Sequence, residues 1–335
     1  MSVRVGINGF GRIGRDYLRC LLERGAGDIE VVAINDVASP ATLAHLLRYD
    51  STYGPLKESV EYTPNAIKVA GRMIRATAER DPAKLDWSAV GAEIVIESTG
   101  KFRTREAAGA HLAAGARKVI LSVPGKDVDA TVVLGVNDDD YDPVAHDVIS
   151  NASCTTNCVA PMVSVLHSAF GIEHGLMTTI HSYTNDQVLL DSPHKDIRRG
   201  RSGAANVIPT STGAARAIGL VIPELAGRID GVAVRVPIED GSLTDLSVQL
   251  HEAVTAEIVN EAFADAAAGP LKGILRYTTD PIVSRDIIGD PASCIFDASL
   301  TQVQNHLVKV FGWYDNEWGY TSRLVDLTEL VAAAL

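Results

Sequence analysis

The apolar positions fall into two regimes along the chain. Val3–Asn8 (VRVGIN) is a short run rich in β-branched residues, and Gly9–Gly14 interrupts it. Ile13, Tyr17, Leu18, Leu21 and Leu22 then recur at helical spacing until Gly25 offers a stop. Ile29–Asn35 (IEVVAIN) is almost continuously apolar, as in a strand covered on both faces. Ile94–Ile96 before Glu97, Val119–Val123 and Thr131–Val136 repeat that pattern. Strands and helices alternating at this rhythm predict an α/β domain, a doubly wound parallel sheet with helices on both faces.

The pattern changes near Asn151. Leu176–Tyr183, Val232–Val236, Leu243–Leu250, Ile274–Thr278 and Leu307–Tyr314 read as longer, alternating strands, with a helix over Thr255–Ala268. This half predicts an α+β domain with a largely antiparallel sheet. A helix is expected from Val159 to Phe170, and another over Glu317–Leu335. Between Asp186 and Ile208 no period holds, and His194–Arg201 (HKDIRRGR) concentrates cations there. A long irregular loop in a compact domain is often functional, here a phosphate pocket or a subunit-interface loop.

Composition narrows the class. At 335 residues the chain has room for about two domains. With 46% hydrophobic and 21% charged residues it is a globular sequence rather than a disordered one. The formal charge of -12 argues against nucleic acid and anionic membranes as partners. Cys20, Cys154, Cys158 and Cys294 form no disulfide framework. No basic leader precedes an apolar stretch, and no long apolar run occurs, so a cytoplasmic protein is expected.

Gly9-Phe10-Gly11-Arg12-Ile13-Gly14 fits G-x-G-x-x-G between a strand and a helix, and Asp36 ends the next strand about 20 residues on. This is the Rossmann dinucleotide fingerprint. Gly9 permits the turn, Gly11 lets the backbone approach a pyrophosphate, and Gly14 allows close helix–strand packing. The helix start offers free N–H groups to the anion. Asp36 would accept from ribose hydroxyls and disfavours a 2′-phosphate, so NAD is expected in preference to NADP.

Asn151-Ala152-Ser153-Cys154-Thr155-Thr156-Asn157-Cys158 lies where the parallel pattern ends and a helix begins. A cysteine at a helix start gains thiolate character from the dipole. His181, among hydroxyl and polar residues, is its best partner by context. On the residues alone, a buried inert cysteine and a structural histidine stay open. No cysteine or histidine cluster has zinc spacing, so no metal is expected.

NGFGRIGR, SNASCTTNC, His181-Ser182-Tyr183-Thr184, PTSTGAA, VRVP and WYDNEWGY, in that order, resemble phosphorylating glyceraldehyde-3-phosphate dehydrogenase end to end. The resemblance implies oxidation of glyceraldehyde 3-phosphate to 1,3-bisphosphoglycerate in glycolysis and gluconeogenesis. NAD is reduced, and the carbon passes through a thiohemiacetal and thioester on Cys154, with His181 moving protons. It implies that Arg12, Ile13, Arg80 and Ser122 line the cofactor site with Gly9, Gly11, Gly14 and Asp36, and that Asn316 anchors the nicotinamide carboxamide. Ser153, Thr155, Thr212 and Gly213 resemble the attacking-phosphate side. Thr184, Arg199 and Arg235 resemble the substrate-phosphate side. It implies a Rossmann domain of residues 1–153 and 317–335, a catalytic domain of residues 154–316, and a homotetramer.

Two positions depart from the family pattern. Val37 follows Asp36 where leucine is common, and Ser192 stands in Asp191-Ser192-Pro193 where a leucine is usual. Ser192 weakens the argument for strict NAD selectivity. The alternatives are an erythrose-4-phosphate dehydrogenase, an NADP-accepting variant, or a non-catalytic NAD-sensing or RNA-binding protein on the same scaffold.

Overall fold

A computed structural model describes residues 2–25 and 27–335. The chain divides into two compact units. One comprises Met1–Val132, Asp139–Ala152 and Thr321–Leu335; the other comprises Val133–Asp138 and Ser153–Tyr320.

The first unit runs β1 (Val3–Asn8), α1 (Arg12–Arg24), β2 (Ile29–Asn35), α2 (Pro40–Arg48), β3 (Val60–Thr63), β4 (Ala66–Val69), β5 (Arg72–Thr77) and β6 (Ile94–Glu97). It continues through α3 (Arg105–Ala108), α4 (Ala110–Ala113), β7 (Lys118–Leu121), β8 (Ala130–Thr131) and β9 (Val148–Ser150). Its sheet has the order β3-β4-β5-β2-β1-β6-β7-β9-β8. Pairing is parallel from β5 to β8, and β3–β4–β5 form an antiparallel corner. The chain reverses its direction of travel at β1, so the loops after β1 and β6 open at a topological switch point. The buried strands β1, β2 and β6 account for the apolar runs of the sequence.

The second unit contains α5 (Cys154–Phe170), β10 (Ile172–Ser182), β11 (Ile208–Ser211), α6 (Ala214–Val221), β12 (Ile229–Val236), β13 (Ser242–Leu250) and α7 (Ala256–Ala268). Then come β14 (Leu275–Thr278), β15 (Cys294–Asp297), β16 (Gln302–Gln304) and β17 (Leu307–Tyr314); α8 (Trp318–Ala333) follows and belongs to the first unit from Thr321 on. The sheet order is β11-β12-β10-β13-β17-β15-β14, with β16 on β17. Most pairs are antiparallel; β10–β12 and β14–β15 are parallel.

Three expectations are corrected. The strand over Thr131–Val136 stops at Thr131, because Asn137 Oδ1 and Asp138 Oδ1 accept the N–H groups of Val133 (2.8 Å) and Gly135 (2.6 Å) and turn the chain. The strand over Val119–Val123 closes at Leu121; past that point the Val123 carbonyl accepts from the Ser150 hydroxyl at 2.8 Å instead of a neighbouring backbone. The helix expected from Val159 begins at Cys154, where Ser153 Oγ accepts the Thr156 N–H at 3.0 Å as its N-cap.

Helix α7 is secured by Val259 and Phe263, its two fully buried side chains. Phe263 stacks on Phe296 with centroids 3.8 Å apart and planes 6° from parallel. Phe263→Ala should therefore cost about 3–5 kcal/mol, read from the midpoint of urea unfolding. A loss below about 1 kcal/mol would mean that α7 is held elsewhere.

Candidate active site

The glycine turn in the first unit is built by close approaches. Gly9 has φ +92°, and a Cβ there would meet the Thr99 backbone at 2.6 Å. A Cβ at Gly14 would stand 2.3 Å from the Gly9 carbonyl oxygen. Around Gly11 there is open space within 4 Å, and no side chain caps α1. The turn therefore keeps the helix's first N–H groups clear for an anion, as a dinucleotide pyrophosphate requires. Asp36 lies just past β2; its carboxylate accepts from Phe10 N at 2.8 Å and Ala38 N at 3.0 Å, which binds the β2 end to the turn. Arg12 pairs with Asp50 and lies over the Tyr53 ring. Ile13 is half-buried, Ser122 is buried, and Arg80 is exposed. The residues present fit NAD.

Beneath this turn sits a network that the sequence did not reveal. Glu97, fully buried, accepts from Asn8 Nδ2 at 2.6 Å and from Thr99 N at 2.8 Å. Trp87 Nε1 donates to His111 Nδ1 at 3.0 Å, so the neutral ring carries its proton on Nε2, 3.0 Å from Glu97. Asn8 continues through Asn35, whose amide reaches Asn8 Oδ1 at 2.7 Å.

In the second unit, register brings the chemistry together. β10 and β12 run parallel with His181 opposite Arg235, and β13 pairs with β17 so that Ser242 faces Tyr314. Helix α5 starts at Cys154, whose Sγ is 3.4 Å from His181 Nε2. Arg235 Nη1 lies 2.8 Å from both His181 Nδ1 and the Ser182 carbonyl. Its Nε is buried without a hydrogen-bond partner among the described residues, a donor suited to an anion. Tyr314 meets the imidazole edge-on at 5.9 Å. Its hydroxyl contacts those of Thr155 and Thr179 at 2.8 Å each.

At Cys154 the helix start is opposed by burial. Burial pushes its thiol up to about 11. The Arg235 charge and the Thr155 hydroxyl and N–H pull in the opposite direction. Burial, and then Arg235, pushes His181 down to about 3. Burial thus favours the neutral forms of both groups, and Arg235 and the Thr155 donors favour the charged sulfur.

The other phosphate-side candidates are placed as follows. Ser153 Oγ caps α5, and Thr155 is tied to Tyr314. Thr212 Oγ1 accepts the Ala214 N–H at 3.1 Å, and Gly213 stands at the start of α6 with open space around its Cα. Thr184 is half-buried, with its N–H on Gln187. Arg199 is held by Asp186 and by Thr210 Oγ1 at 2.9 Å. Asn316 Oδ1 accepts from Ser182 Oγ at 2.9 Å and Ser242 Oγ at 2.6 Å, so its amide orientation is fixed. Asp186, Thr210, Ser182, Ser242 and Tyr314 were not singled out from sequence. Their signal was weak, since each serves by holding another residue. Among the described residues no group of three His, Cys, Asp or Glu side chains could hold a metal, and no helix is long and apolar enough to cross a membrane.

A protein built this way falls in the class of NAD-dependent dehydrogenases. Residues 3–105 match the model for the glyceraldehyde 3-phosphate dehydrogenase NAD binding domain, and residues 153–316 match that for its C-terminal domain. The chain is 60% identical to glyceraldehyde-3-phosphate dehydrogenase of Streptomyces coelicolor over 100% of both chains. It is 56% identical to that of Mycobacterium leprae, again over 100% of both, and 55% identical to that of Geobacillus stearothermophilus over 99% of both. The chain belongs to the glyceraldehyde-3-phosphate dehydrogenase family.

Two glycines should separate folding from binding. Gly14→Ala should lower stability by about 1–3 kcal/mol, because a backbone oxygen fills the space. Gly11→Ala should leave the thermal midpoint nearly unchanged and weaken NAD binding by about tenfold or more in a fluorescence titration. Equal NAD affinity in Gly11→Ala would place the pyrophosphate elsewhere. In native alkylation by iodoacetamide followed by mass spectrometry, partly exposed Cys154 should react far ahead of buried Cys20, Cys158 and Cys294. Equal rates would remove the special environment assigned to Cys154.

Proposed function

We propose that the chain carries out phosphorylating oxidation of glyceraldehyde 3-phosphate with NAD, with Cys154 as nucleophile and His181 as proton shuttle. The 3.4 Å approach of Cys154 Sγ to His181 Nε2 carries this reading. Sulfur attacks the aldehyde carbon, and its proton passes through His181 Nε2 to the new hydroxyl, giving a thiohemiacetal. NAD, when bound, supplies the acceptor for the electron pair of the carbon–hydrogen bond. His181 Nε2 takes the hydroxyl proton as the carbon becomes a thioester. Inorganic phosphate then attacks the thioester, and the carbon–sulfur bond breaks to release 1,3-bisphosphoglycerate and the Cys154 sulfur. The thioester conserves oxidation energy that direct hydrolysis to an acid would lose.

In this reading Arg235 and Arg199 hold phosphate oxygens, with Thr184, Ser153, Thr155, Thr212 and Gly213 as neighbouring donors. The open Nε of Arg235 supports its part. Gly9, Gly11, Arg12, Ile13, Gly14, Asp36, Arg80 and Ser122 hold the cofactor in the first unit. Asn316, its oxygen taken by two hydroxyls, turns its NH₂ to the carboxamide carbonyl. The first unit is then the NAD-binding domain and the second the catalytic one. A cytoplasmic homotetramer completes the proposal. Leu189, Leu190 and Ile197 support the assembly: these large apolar side chains of the 186–208 loop are 78%, 77% and 87% exposed.

NADH formation should require inorganic phosphate, vanish in Cys154→Ser and slow by about 10²-fold or more in His181→Asn with NAD binding retained. Full activity in Cys154→Ser would overturn the mechanism, and lost NAD affinity in His181→Asn would make that residue structural. Side-by-side kcat/KM should favour glyceraldehyde 3-phosphate over erythrose 4-phosphate and NAD over NADP. A preference of about tenfold the other way would reassign the substrate or cofactor. Analytical ultracentrifugation should give a species four times the chain mass; a monomer would end the assembly proposal.

A further inference from the structure

Asn8, Asn35, Thr77 and Glu97 are the last residues of β1, β2, β5 and β6. The parallel sheet therefore sets their polar side chains along the strand ends, where such sheets take their ligands. Glu97 and His111 are fully buried, each 0% exposed. Every hydrogen bond of the Glu97 side chain among the described residues is an accepted one. Thr99 gives its N–H at 2.8 Å and its hydroxyl to Oε1, and Asn8 Nδ2 donates to Oε2 at 2.6 Å. The same Oε2 lies 3.0 Å from His111 Nε2. Trp87 Nε1 takes the other ring nitrogen, so Nε2 carries the hydrogen and donates it to Glu97. Trp87 is itself set against β1, since a Cβ at Gly6 would meet its ring at 2.5 Å.

An acceptor at this point gives the amides a direction. Asn8 turns its NH₂ to Glu97, which leaves Oδ1 to accept Asn35 Nδ2 at 2.7 Å. Asn35 Nδ2 also donates to the Glu79 carbonyl at 2.8 Å. Its Oδ1 is left to accept the Glu79 N–H and the Thr77 hydroxyl, each at 2.8 Å. The bonds end on cofactor-site candidates. Asn8 precedes Gly9, whose N–H donates to the Asn35 carbonyl at 2.8 Å and whose carbonyl accepts Ser98 Oγ at 2.6 Å. Asn35 precedes Asp36. Glu79 precedes Arg80, and its carboxylate accepts the Arg80 N–H at 2.8 Å.

We propose that Glu97 and His111 are positioning residues for the cofactor: a buried acceptor and its oriented donor fix the Asn8 and Asn35 amides, and these hold the glycine turn, Asp36 and the Glu79–Arg80 turn in one arrangement. The proposal rests on the reading of Gly9, Asp36 and Arg80 as cofactor-binding residues given above. The web takes no part in the chemical step, and its loss is felt in nucleotide affinity.

The test measures the dissociation constants of NAD and of ADP-ribose on the full-length enzyme by fluorescence titration, with folding checked by circular dichroism. Glu97→Gln keeps the size of the side chain but turns an NH₂ toward groups that are themselves donors. It should weaken NAD by about tenfold or more. ADP-ribose, which lacks the nicotinamide, should weaken by the same factor, because every group the web reaches lies in the first unit. The kcat at saturating NAD should stay within about twofold. Polarity is then restored without restoring the residue. In the double variant Asn8→Asp with Glu97→Gln, the new carboxylate at position 8 accepts from position 97 and from Asn35. It also accepts from His111 Nε2, which lies 3.3 Å from the present Asn8 nitrogen. This variant should bind NAD within about threefold of the unmodified protein.

His111 supplies an independent pair. His111→Gln has an amide that accepts from Trp87 and donates to Glu97, and it should keep most of the affinity. His111→Leu fills the space with no donor and should lose about tenfold. Equal affinity in the two would mean that only volume matters, and would overturn the proposal. A lower thermal midpoint in Glu97→Gln with NAD affinity unchanged would make the web purely structural and overturn it as well, whatever Asp36→Ala does. If Glu97→Gln does not fold, the double variant decides: it must fold and bind NAD, and failure in either overturns the proposal. Unchanged NAD affinity in Asp36→Ala overturns the reading of the cofactor site itself, whatever the web variants do.

Discussion

His181 faces Arg235 because Ile172–Ser182 and Ile229–Val236 run parallel and in register, and the chemistry of the second unit hangs on that pairing. A slip of one residue in either strand would turn its own side chain to the other face of the sheet and part the two. The same register sets Ser182 beside Ser242 on the neighbouring antiparallel strand, and those two hydroxyls hold Asn316. Cys154 joins the group because Ser153 caps the helix one residue earlier. The edge strand Ile208–Ser211 brings Thr210 to the flank of the sheet, where it steadies Arg199. A loop arginine is thereby held on a rigid strand.

The first unit meets a different constraint, the closeness of backbones. Gly9 and Gly14 are required because neighbouring backbone atoms occupy the space of any side chain, while Gly11 is kept small toward open space. The buried carboxylate of Glu97 anchors this arrangement without a cation. Amide, hydroxyl and imidazole donors from Asn8, Thr99 and His111 satisfy it, and Trp87 fixes which imidazole nitrogen does so. A buried polar group satisfied in this way draws the ends of several strands together.

Burial sets the proton positions in the second unit. Burial drives Cys154 and His181 toward their neutral forms, and one 3.4 Å contact joins Sγ to Nε2. Burial also drives Asp240 toward its neutral form, while Asp315 accepts three backbone N–H groups.

What the sequence determined by itself was everything carried by local pattern. The period of apolar residues distinguished the parallel sheet from the mixed one. The glycine spacing marked the dinucleotide turn, and SNASCTTNC marked the candidate nucleophile. These are properties of neighbouring residues, and a short window holds them. The corner Val60–Thr77 escaped the reading because its strands are short and partly exposed, without a clean alternation. The early end of the strand after Ala130 depended on side chains of Asn137 and Asp138 folding back on the chain. Only the tertiary structure decided that Arg235 touches His181, 54 residues away in sequence. It also decided that Tyr314 braces Thr155. Strand register and burial produce those contacts, and both are properties of the assembled sheet. The surroundings of Cys154 show the limit most clearly: its place at a helix start was legible, but the burial that pushes its thiol up exists only once the chain has closed around it.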